Sequence, residues 1–352
     1  MPTYDVTKST EWNMENGPLF EGDIPIRSSF RKRARLWDFE LNSPLGVPAG
    51  PLFNSDFIKL YADLGFDVLV YKTVRSVARK AHPNPNIVFV DPGAGITKDR
   101  LGSDIVVGKE PSDLSKITIT NSFGMNSLGA EDWQKDFDLA QSYMGDGQLL
   151  MMSVTSTPGE SGRDMKEDFV YTAALAKDAG AKVVELNFSC PNVKAGGEGS
   201  IYTDPDFSAE IVAAVKKELG ATPVVIKVGY YKDLADLDAV AAAVAPFVDG
   251  ISAINTITML VRNGDGSQAL PGEGRLGSGL CGAALKPYAL ETVGRLAELK
   301  RTMKYDYEIF GVGGVVRPED FDDLLEAGAT VAMTGTGAMW NPMLALQWNE
   351  AV

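Results

Sequence analysis

Four asparagines stand at or just after the ends of short apolar runs, where a single ligand could meet all of them. They are Asn121, Asn187, Asn192 and Asn255. Each side-chain amide offers a donor and an acceptor, so four amides suit a planar ligand with alternating C=O and N–H groups. One asparagine at such a position is usually a turn residue, but four at matched positions favour a shared binding site.

Two lysines occupy equivalent positions. Lys72 closes the run DVLVYK (67–72), and Lys227 lies near the end of PVVIKV (223–228). A lysine there could hold a phosphate, a carboxylate or the N1–C2=O edge of a reduced flavin, or form a Schiff base if its pKa were depressed. The alternative is a structural ion pair with a neighbouring carboxylate such as Glu185.

Glycines follow the last two apolar runs, as Gly313 and Gly314 in GVGG and as Gly335 and Gly337 in GTG. Glycine lets backbone N–H groups approach an anion closely, and the loops after strands seven and eight form the usual phosphate site of a (β/α)₈ barrel. These glycines therefore predict a phosphate site, with tight turns as the alternative.

The chain has two cysteines and one histidine. Cys190 follows an apolar run in a loop, where a thiol can act as nucleophile or general base, although a loop cysteine taken alone is more often inert. Cys281, in GSGLCGAAL, is interpreted as a small packing residue. Because His82 is the only histidine, Cys190 becomes the leading acid–base candidate.

Short apolar runs alternate with helical segments along most of the chain, which predicts a parallel sheet. The runs cover residues 45–50, 67–72, 116–121, 149–155, 182–187, 223–228, 249–255, 307–314 and 330–335. The helical segments cover residues 55–65, 168–180, 207–220, 285–300 and 318–328. The runs are apolar throughout, as expected of strands that are buried on both faces.

Nine runs are one too many for an eight-stranded barrel, and 116–121 follows a loop-like stretch. The sequence therefore predicts an α/β fold, a (β/α)₈ TIM barrel over residues 36–352, with an N-terminal arm (1–35) and an excursion (about 75–125) over the C-terminal mouth. An open doubly wound sheet is the alternative, but GVGGV (311–315) does not fit GxGxxG and lies near the end of the chain.

Composition excludes several classes of protein. The 352 residues include 47 Asp plus Glu and 33 Lys plus Arg, which gives a formal net charge of −14. This charge argues against nucleic-acid binding. Two cysteines exclude a disulfide scaffold and a Cys₄ zinc site. The N-terminus lacks a signal-peptide pattern and no apolar stretch is long enough for a membrane span, so we expect a cytoplasmic protein.

The basic segment 27–35 is interpreted as an arm over an acidic body, with a cationic surface-binding role as the alternative.

Eight motifs together resemble the dihydroorotate dehydrogenases, in the same order along the chain and over about residues 36–345. They are LGVPAG (45–50), YKT (71–73), NSFGMNSLG (121–129), ELNFSCPNV (185–193), VIKVG (225–229), INT (254–256), FGVGGV (310–315) and GTG (335–337). ELNFSCPN is the most specific of them. Dihydropyrimidine dehydrogenase domains share its Asn-x-Ser-Cys-Pro core.

The resemblance implies an FMN-containing barrel that oxidises dihydroorotate to orotate in pyrimidine biosynthesis. It implies that Cys190 removes the C5 proton while N5 of FMN takes the C6 hydride. A cysteine rather than a serine at this position is similar to the soluble class 1 enzymes. The stretch between Lys72 and Asn121 is longer than is typical of that class, and Asn126 replaces a usual proline. An FMN barrel acting on dihydrouracil or another dihydropyrimidine or enone substrate is the alternative. A flavin-free phosphate-binding barrel is a third hypothesis.

The resemblance also assigns roles residue by residue, with Cys190 and Lys72 as the catalytic pair. The implied substrate-binding residues are Lys72, Asn121, Phe123, Gly124, Met125, Asn187, Asn192, Asn255 and Thr256. The implied cofactor-binding residues are Ala49, Gly50, Lys72, Thr73, Asn121, Asn187, Lys227, Gly282, Gly313, Gly314, Gly335 and Thr336. No metal is expected.

The resemblance further implies a small pyrimidine substrate and a homodimer. Fumarate, a quinone, or NAD through a partner iron–sulfur flavoprotein subunit all remain open as electron acceptors. The chain has no cysteine cluster for iron–sulfur ligation, so use of NAD would require that partner.

Overall fold

A computed structural model describes residues 2–27, 30–93, 95–189 and 201–350. Elements within these ranges are numbered in chain order. The strands are β1 (Ala34–Leu36), β2 (Phe39–Leu41), β3 (Leu45–Val47), β4 (Val68–Val74), β5 (Ile87–Phe89), β6 (Asp104–Val106), β7 (Thr118–Asn121), β8 (Leu149–Val154), β9 (Val184–Asn187), β10 (Val224–Val228), β11 (Gly250–Ala253), β12 (Ile257–Arg262), β13 (Gly277–Gly282), β14 (Glu308–Val312) and β15 (Val331–Met333). The helices are α1 (Thr10–Asn16), α2 (Ser55–Asp63), α3 (Ala130–Ser142), α4 (Met165–Asp178), α5 (Pro205–Leu219), α6 (Leu234–Val244), α7 (Lys286–Met303), α8 (Glu319–Glu326), α9 (Thr336–Trp340) and α10 (Leu344–Glu350).

Eight parallel strands close into a barrel in the order β3-β4-β8-β9-β10-β11-β14-β15. They correspond to the eight apolar runs that remain when 116–121 is set aside, so the predicted TIM barrel is confirmed. All residues of β4, β8 and β10 are buried. One face of each strand lines the barrel interior and the other packs against the surrounding helices, which explains why these runs are apolar throughout.

Helices α2, α4, α5 and α6 each begin after a side chain that accepts a hydrogen bond from one of their first N–H groups. Asn54 caps α2, and Asp164 with Glu167 forms a reciprocal capping box at the start of α4. The five predicted helical segments are present as α2, α4, α5, α7 and α8. Helices α3 and α6 were not predicted, although Trp133, Phe137 and Ala140 bury one side of α3 at helical spacing.

A second sheet covers the C-terminal mouth of the barrel, in the strand order β5-β7-β13-β12-β6. We call this sheet, with its connecting loops 75–126 and 256–284, the cap. The predicted excursion supplies β5, β6 and β7, so the run 116–121 lies in the cap rather than in the barrel. The hairpin of β12 and β13, which lies between barrel strand β11 and helix α7, completes the sheet and was not predicted.

The first residues of the N-terminal arm pack at the mouth, where the ring of Tyr4 lies 5.2 Å from that of Phe53 and 5.8 Å from that of Phe123, whereas the β1–β2 hairpin packs against the opposite end of the barrel. The β1–β2 hairpin contributes Leu36 and Leu41 to the apolar interior of the barrel, and the ring of Trp37 lies 6.0 Å from that of Phe310. The proposed boundary at residue 35 falls inside β1. None of the helices in the described ranges has both the length and the apolar composition needed to cross a bilayer.

The basic segment of the arm is held by acidic partners on the barrel. Arg27 donates two hydrogen bonds, of 2.9 and 2.8 Å, to the buried carboxylate of Asp67, and Arg31 donates one of 3.1 Å to Asp322. These ion pairs fit the interpretation of the segment as an arm over an acidic body.

Candidate active site

One cavity of about 640 Å³ lies between the C-terminal ends of the barrel strands and the cap. Gly337 of GTG does not line this cavity, but every described residue that the resemblance assigns to catalysis, substrate binding or cofactor binding does. These residues are Ala49, Gly50, Lys72, Thr73, Asn121, Phe123, Gly124, Met125, Asn187, Lys227, Asn255, Thr256, Gly282, Gly313, Gly314, Gly335 and Thr336. Cys190 and Asn192 lie outside the described residues. Ser189, which precedes Cys190, also lines the cavity.

An irregularity in β4 brings two consecutive side chains to the cavity. Tyr71 pairs with Met152 and Val74 pairs with Val154, so Lys72 and Thr73 together oppose a single residue of β8. In a regular strand successive side chains point to opposite faces, whereas a bulge re-aims one of them. The bulge explains how Lys72 and Thr73 can both line the cavity.

Lys72 is buried against aromatic rings. Its Nζ lies 5.4 Å from the ring centroid of Phe53 and 5.5 Å from that of Phe123. Burial lowers the pKa of Lys72 to about 8, and the positive charge of Arg75 contributes to the shift. An anion in the cavity would offset both effects, so this lysine suits an anionic ligand.

Amides at the ends of β9 and β11 meet at the cavity wall. The Nδ2 of Asn187 donates to Thr73 Oγ1 at 3.4 Å, and its Oδ1 accepts from Ser189 Oγ at 3.2 Å and from Asn255 Nδ2 at 3.4 Å. Asn255 also donates to Ser189 Oγ. These contacts fix the amide planes at the cavity wall, as a site for a planar ligand requires.

Lys227 faces the mouth beside this network, because it is the register partner of Asn187 in the parallel pair β9–β10. Only 5% of its surface is exposed. Among the described residues neither Lys227 nor Lys72 forms an ion pair, so the alternative of a pair with Glu185 is not observed. Both charges are available to a ligand.

The cap holds Asn121 from the other side of the cavity. Its Nδ2 donates to the Sγ of Cys281 at 2.9 Å, and its carbonyl accepts from Ser278 Oγ at 2.7 Å. Burial raises the pKa of Cys281 to about 12, although Lys227 acts in the opposite direction. Cys281 is therefore a neutral thiol in the cavity wall that contacts a site residue, which its interpretation as a packing residue missed.

The loop after Asn121 offers backbone donors. Gly124 and Met125 have positive φ values of 77° and 53°, and a Cβ on Gly124 would lie 2.6 Å from the ring of His82. Within the described part of the chain, no acceptor is found for the N–H groups of Phe123, Gly124 and Met125. Successive unpaired N–H groups beside a cavity form an anion-binding concavity.

The glycines after β14 and β15 allow close packing on the barrel side. Gly314 has a φ of 78°, and a Cβ there would lie 2.3 Å from the Cα of Lys286. Gly335 is the residue before α9, which begins at Thr336. The two loops thus bring backbone N–H groups and the start of a short helix to the cavity, the arrangement that binds phosphate in (β/α)₈ barrels.

Four basic residues of the cavity wall were missed by the sequence predictions. They are Arg75, Arg79, His82 and Arg275, all of them from the cap. The described wall includes no Asp or Glu, whereas the whole chain carries a net charge of −14. The wall is therefore electropositive in an acidic protein, which favours an anionic ligand.

Comparisons with known proteins agree with this geometry. A family model described as dihydroorotate dehydrogenase matches residues 109–347. A dihydroorotate dehydrogenase of Dictyostelium discoideum is 41% identical over 360 residues, covering 99% of this chain and 97% of that protein. The catalytic subunit of a dihydroorotate dehydrogenase B (NAD(+)) from Alkaliphilus metalliredigens is 28% identical, covering 89% of each chain, and one from Staphylococcus carnosus is 35% identical, covering 51% of this chain and 56% of that subunit.

Proposed function

The chain belongs to the dihydroorotate dehydrogenase family, and we propose that its cavity oxidises dihydroorotate to orotate, with FMN as the cofactor and Cys190 as the base. This reaction belongs to pyrimidine biosynthesis, and the enzyme is an oxidoreductase acting on a CH–CH donor. One observation carries the assignment to this cavity. The eight family motifs lie far apart in the sequence, and each of them contributes residues to the same electropositive wall.

The family is flavin-dependent, and the barrel side of the cavity fits FMN. Gly313, Gly314, Gly335 and Thr336 would hold the phosphate, because their loops present backbone donors with room for an anion. Lys227 would lie beside the pyrimidine end of the isoalloxazine, where a cation stabilises negative charge. When bound, FMN supplies the acceptor for the hydride that leaves C6 of the substrate.

The cap side and the neighbouring amides fit the substrate. Asn121, Asn187 and Asn255 offer the donors and acceptors that a dihydropyrimidine ring requires. Lys72 and the N–H groups of residues 123–125 would bind the carboxylate. Holding the ring in one orientation removes much of the entropic cost of reaching the reactive geometry.

Proton removal requires a positioned base, since the C5 proton next to the C4 carbonyl is only weakly acidic. The chain contains two cysteines. Cys281 is unsuited to this role, because its pKa is raised to about 12 and its sulfur accepts from Asn121. We assign the base to Cys190, which follows the cavity residue Ser189.

The electron acceptor is fumarate, a quinone, or NAD through a partner subunit. Two of the relatives are named as catalytic subunits of an NAD(+) enzyme. With two cysteines, this chain cannot ligate a Cys₄ iron–sulfur cluster by itself. We therefore expect that the protein alone does not reduce NAD. The family resemblance separately implies a homodimer, and we expect one in analytical ultracentrifugation.

Anaerobic reduction of the bound flavin tests the proposed reaction. The flavin released by heating should be identified as FMN by chromatography. Dihydroorotate should then bleach the visible flavin band of the holoprotein and produce orotate, whereas dihydrouracil should bleach it far more slowly. A colourless protein that takes up no added FMN would contradict the cofactor, and faster bleaching by dihydrouracil would favour the alternative substrate.

A further inference from the structure

Arg275 is a buried arginine of the cap with an unusual set of partners. Only 3% of its surface is exposed, and it lines the cavity. Its donors reach four backbone carbonyls and one hydroxyl, all of them neutral. The acceptors are Pro83 O at 2.8 Å, Pro271 O at 2.8 Å, Pro85 O at 2.9 Å, Ser122 O at 3.1 Å and Ser122 Oγ at 3.2 Å.

The positive charge of Arg275 has no carboxylate partner among the described residues, whereas Arg79 and Arg262 of the cap each have one. Arg79 pairs with Glu160 and Arg262 pairs with Asp104. Burial lowers the pKa of Arg275, yet a guanidinium stays charged in proteins. An uncompensated buried charge is costly unless something of opposite sign approaches it. The fold therefore maintains a positive charge beside the cavity that no described side chain neutralises.

This charge is connected to the anion-binding loop through one peptide group. Nη2 of Arg275 donates to the carbonyl of Ser122, and the N–H of the same peptide unit is that of Phe123. That N–H has no acceptor within the described part of the chain. A cation on a carbonyl polarises the whole peptide, so the N–H at its other end becomes a stronger donor.

The next peptide of the loop is held in a similar way. The backbone N–H of His82 donates to the carbonyl of Phe123 at 3.0 Å, and the N–H of that peptide unit belongs to Gly124. Arg275 also binds the carbonyls of Pro83 and Pro85, which lie in the same segment as His82. The guanidinium of Arg275 thus binds both backbone segments that shape the loop, the one at residues 83–85 and the one at Ser122.

We propose that Arg275 is a positioning and specificity-determining residue, whose charge, acting through the Ser122–Phe123 peptide, makes the site prefer a pyrimidine that carries a carboxylate over the same ring without one. The inference rests on the proposed function, because it assumes that the carboxylate of the substrate binds the N–H groups of residues 123–125. Arg275 itself does not need to touch the substrate.

The test compares two ligands on the holoprotein, orotate and the uncharged ring uracil. Their dissociation constants can be measured from the perturbation of the flavin spectrum. In Arg275→Gln, orotate should bind about tenfold or more weakly, as expected for loss of a buried charge near an anion, while uracil should change by less than about twofold. Arg275→Lys keeps the charge and should retain most of the preference for orotate. Arg262→Gln is the matched control, because its charge is already paired in the same sheet.

Three further outcomes separate the possibilities. If Arg275→Gln and Arg275→Lys weaken both ligands equally, the residue only braces the cap and the inference is overturned. If Arg275→Gln does not retain the cofactor, the uracil and orotate dissociation constants of Arg275→Lys are compared instead. A uracil-to-orotate ratio equal to that of the wild-type protein supports a charge effect, and a ratio near one excludes it. If the wild-type protein binds orotate no better than uracil and is not reduced by dihydroorotate, the proposed function itself fails.

Discussion

The two halves of the cavity wall differ in how they are built. The barrel half consists of the ends of parallel strands and the loops that follow them, and it presents lysine and amide side chains together with glycine loops. The cap half consists of short strands from two segments about 150 residues apart in sequence, and it presents backbone N–H groups braced by arginines. We infer that the barrel half holds the cofactor and the cap half selects the substrate. Damage to the two halves should therefore have different kinetic signatures.

The largest expected effect comes from the base proposed beside the barrel half. Cys190→Ala should lower the rate of flavin reduction by dihydroorotate by about 10²- to 10⁴-fold, because general base catalysis contributes factors of that size. FMN content and orotate affinity should be unchanged. Stopped-flow absorbance under anaerobic conditions measures the rate. An unchanged rate at neutral pH would remove Cys190 from the mechanism, and Cys281→Ala, measured at saturating dihydroorotate, is the matched cysteine control.

The glycine loops of the barrel half should be nearly as sensitive, but through cofactor binding. In Gly314→Ala the new Cβ would lie 2.3 Å from the backbone of Lys286, at a φ of 78°. We expect strain of about 1–3 kcal/mol or more at this position and loss of FMN on gel filtration. Gly294→Ala is the control, since no atom would lie within 4 Å of its Cβ and Gly294 lies within helix α7. Retention of FMN in Gly314→Ala would contradict the proposed phosphate site.

The pH dependence of orotate binding should report the protonation of Lys72, whose Nζ lies near Phe53 and near Phe123 of the cap. Burial lowers the pKa of Lys72 to about 8, so the free site loses this positive charge as the pH rises through 8. Orotate restores the charged form, and binding then requires uptake of a proton. Affinity should be flat below pH 8 and should fall by up to about tenfold per pH unit above it. In Lys72→Met this slope should disappear, whereas an unchanged slope would assign it to another group.

The smallest effect is expected in the cap half, at Cys281. Its sulfur accepts one N–H of Asn121 and so orients the amide. Cys281→Ala leaves that donor without its partner, which costs about 1 kcal/mol and should raise the KM for dihydroorotate several-fold with little change in FMN content. Cys281→Ser should restore most of the affinity. A loss of FMN rather than of substrate affinity would place Cys281 in the cofactor half.

The barrel half could be predicted from the sequence because its signals are local. Each strand is a continuous apolar run, and its functional residue stands at or near the end, as with Lys72, Asn187 and Lys227. Once the strands are recognised, the barrel topology brings those ends together. The bulge in β4, which turns both Lys72 and Thr73 toward the cavity, has no such signal in the sequence.

The cap half was only partly predictable because its signals are weak or distant. The β13 sequence GSGLCG is rich in glycine and does not resemble a strand, and β12 alternates too briefly to stand out. Asn121 was identified by its position at the end of an apolar run, and the loop 123–125 by its resemblance to a family motif. Arg275 was missed, since its role depends on carbonyls that lie about 150 to 190 residues away in sequence.

A crystal structure with FMN and orotate bound tests the division of the cavity most directly. We predict that the phosphate contacts the backbone of residues 313–314 and 335–336 on the barrel side. We predict that the carboxylate of orotate contacts Lys72 and the N–H groups of residues 123–125 on the cap side. A phosphate bound at the cap, or a carboxylate directed away from residues 123–125, would contradict the account.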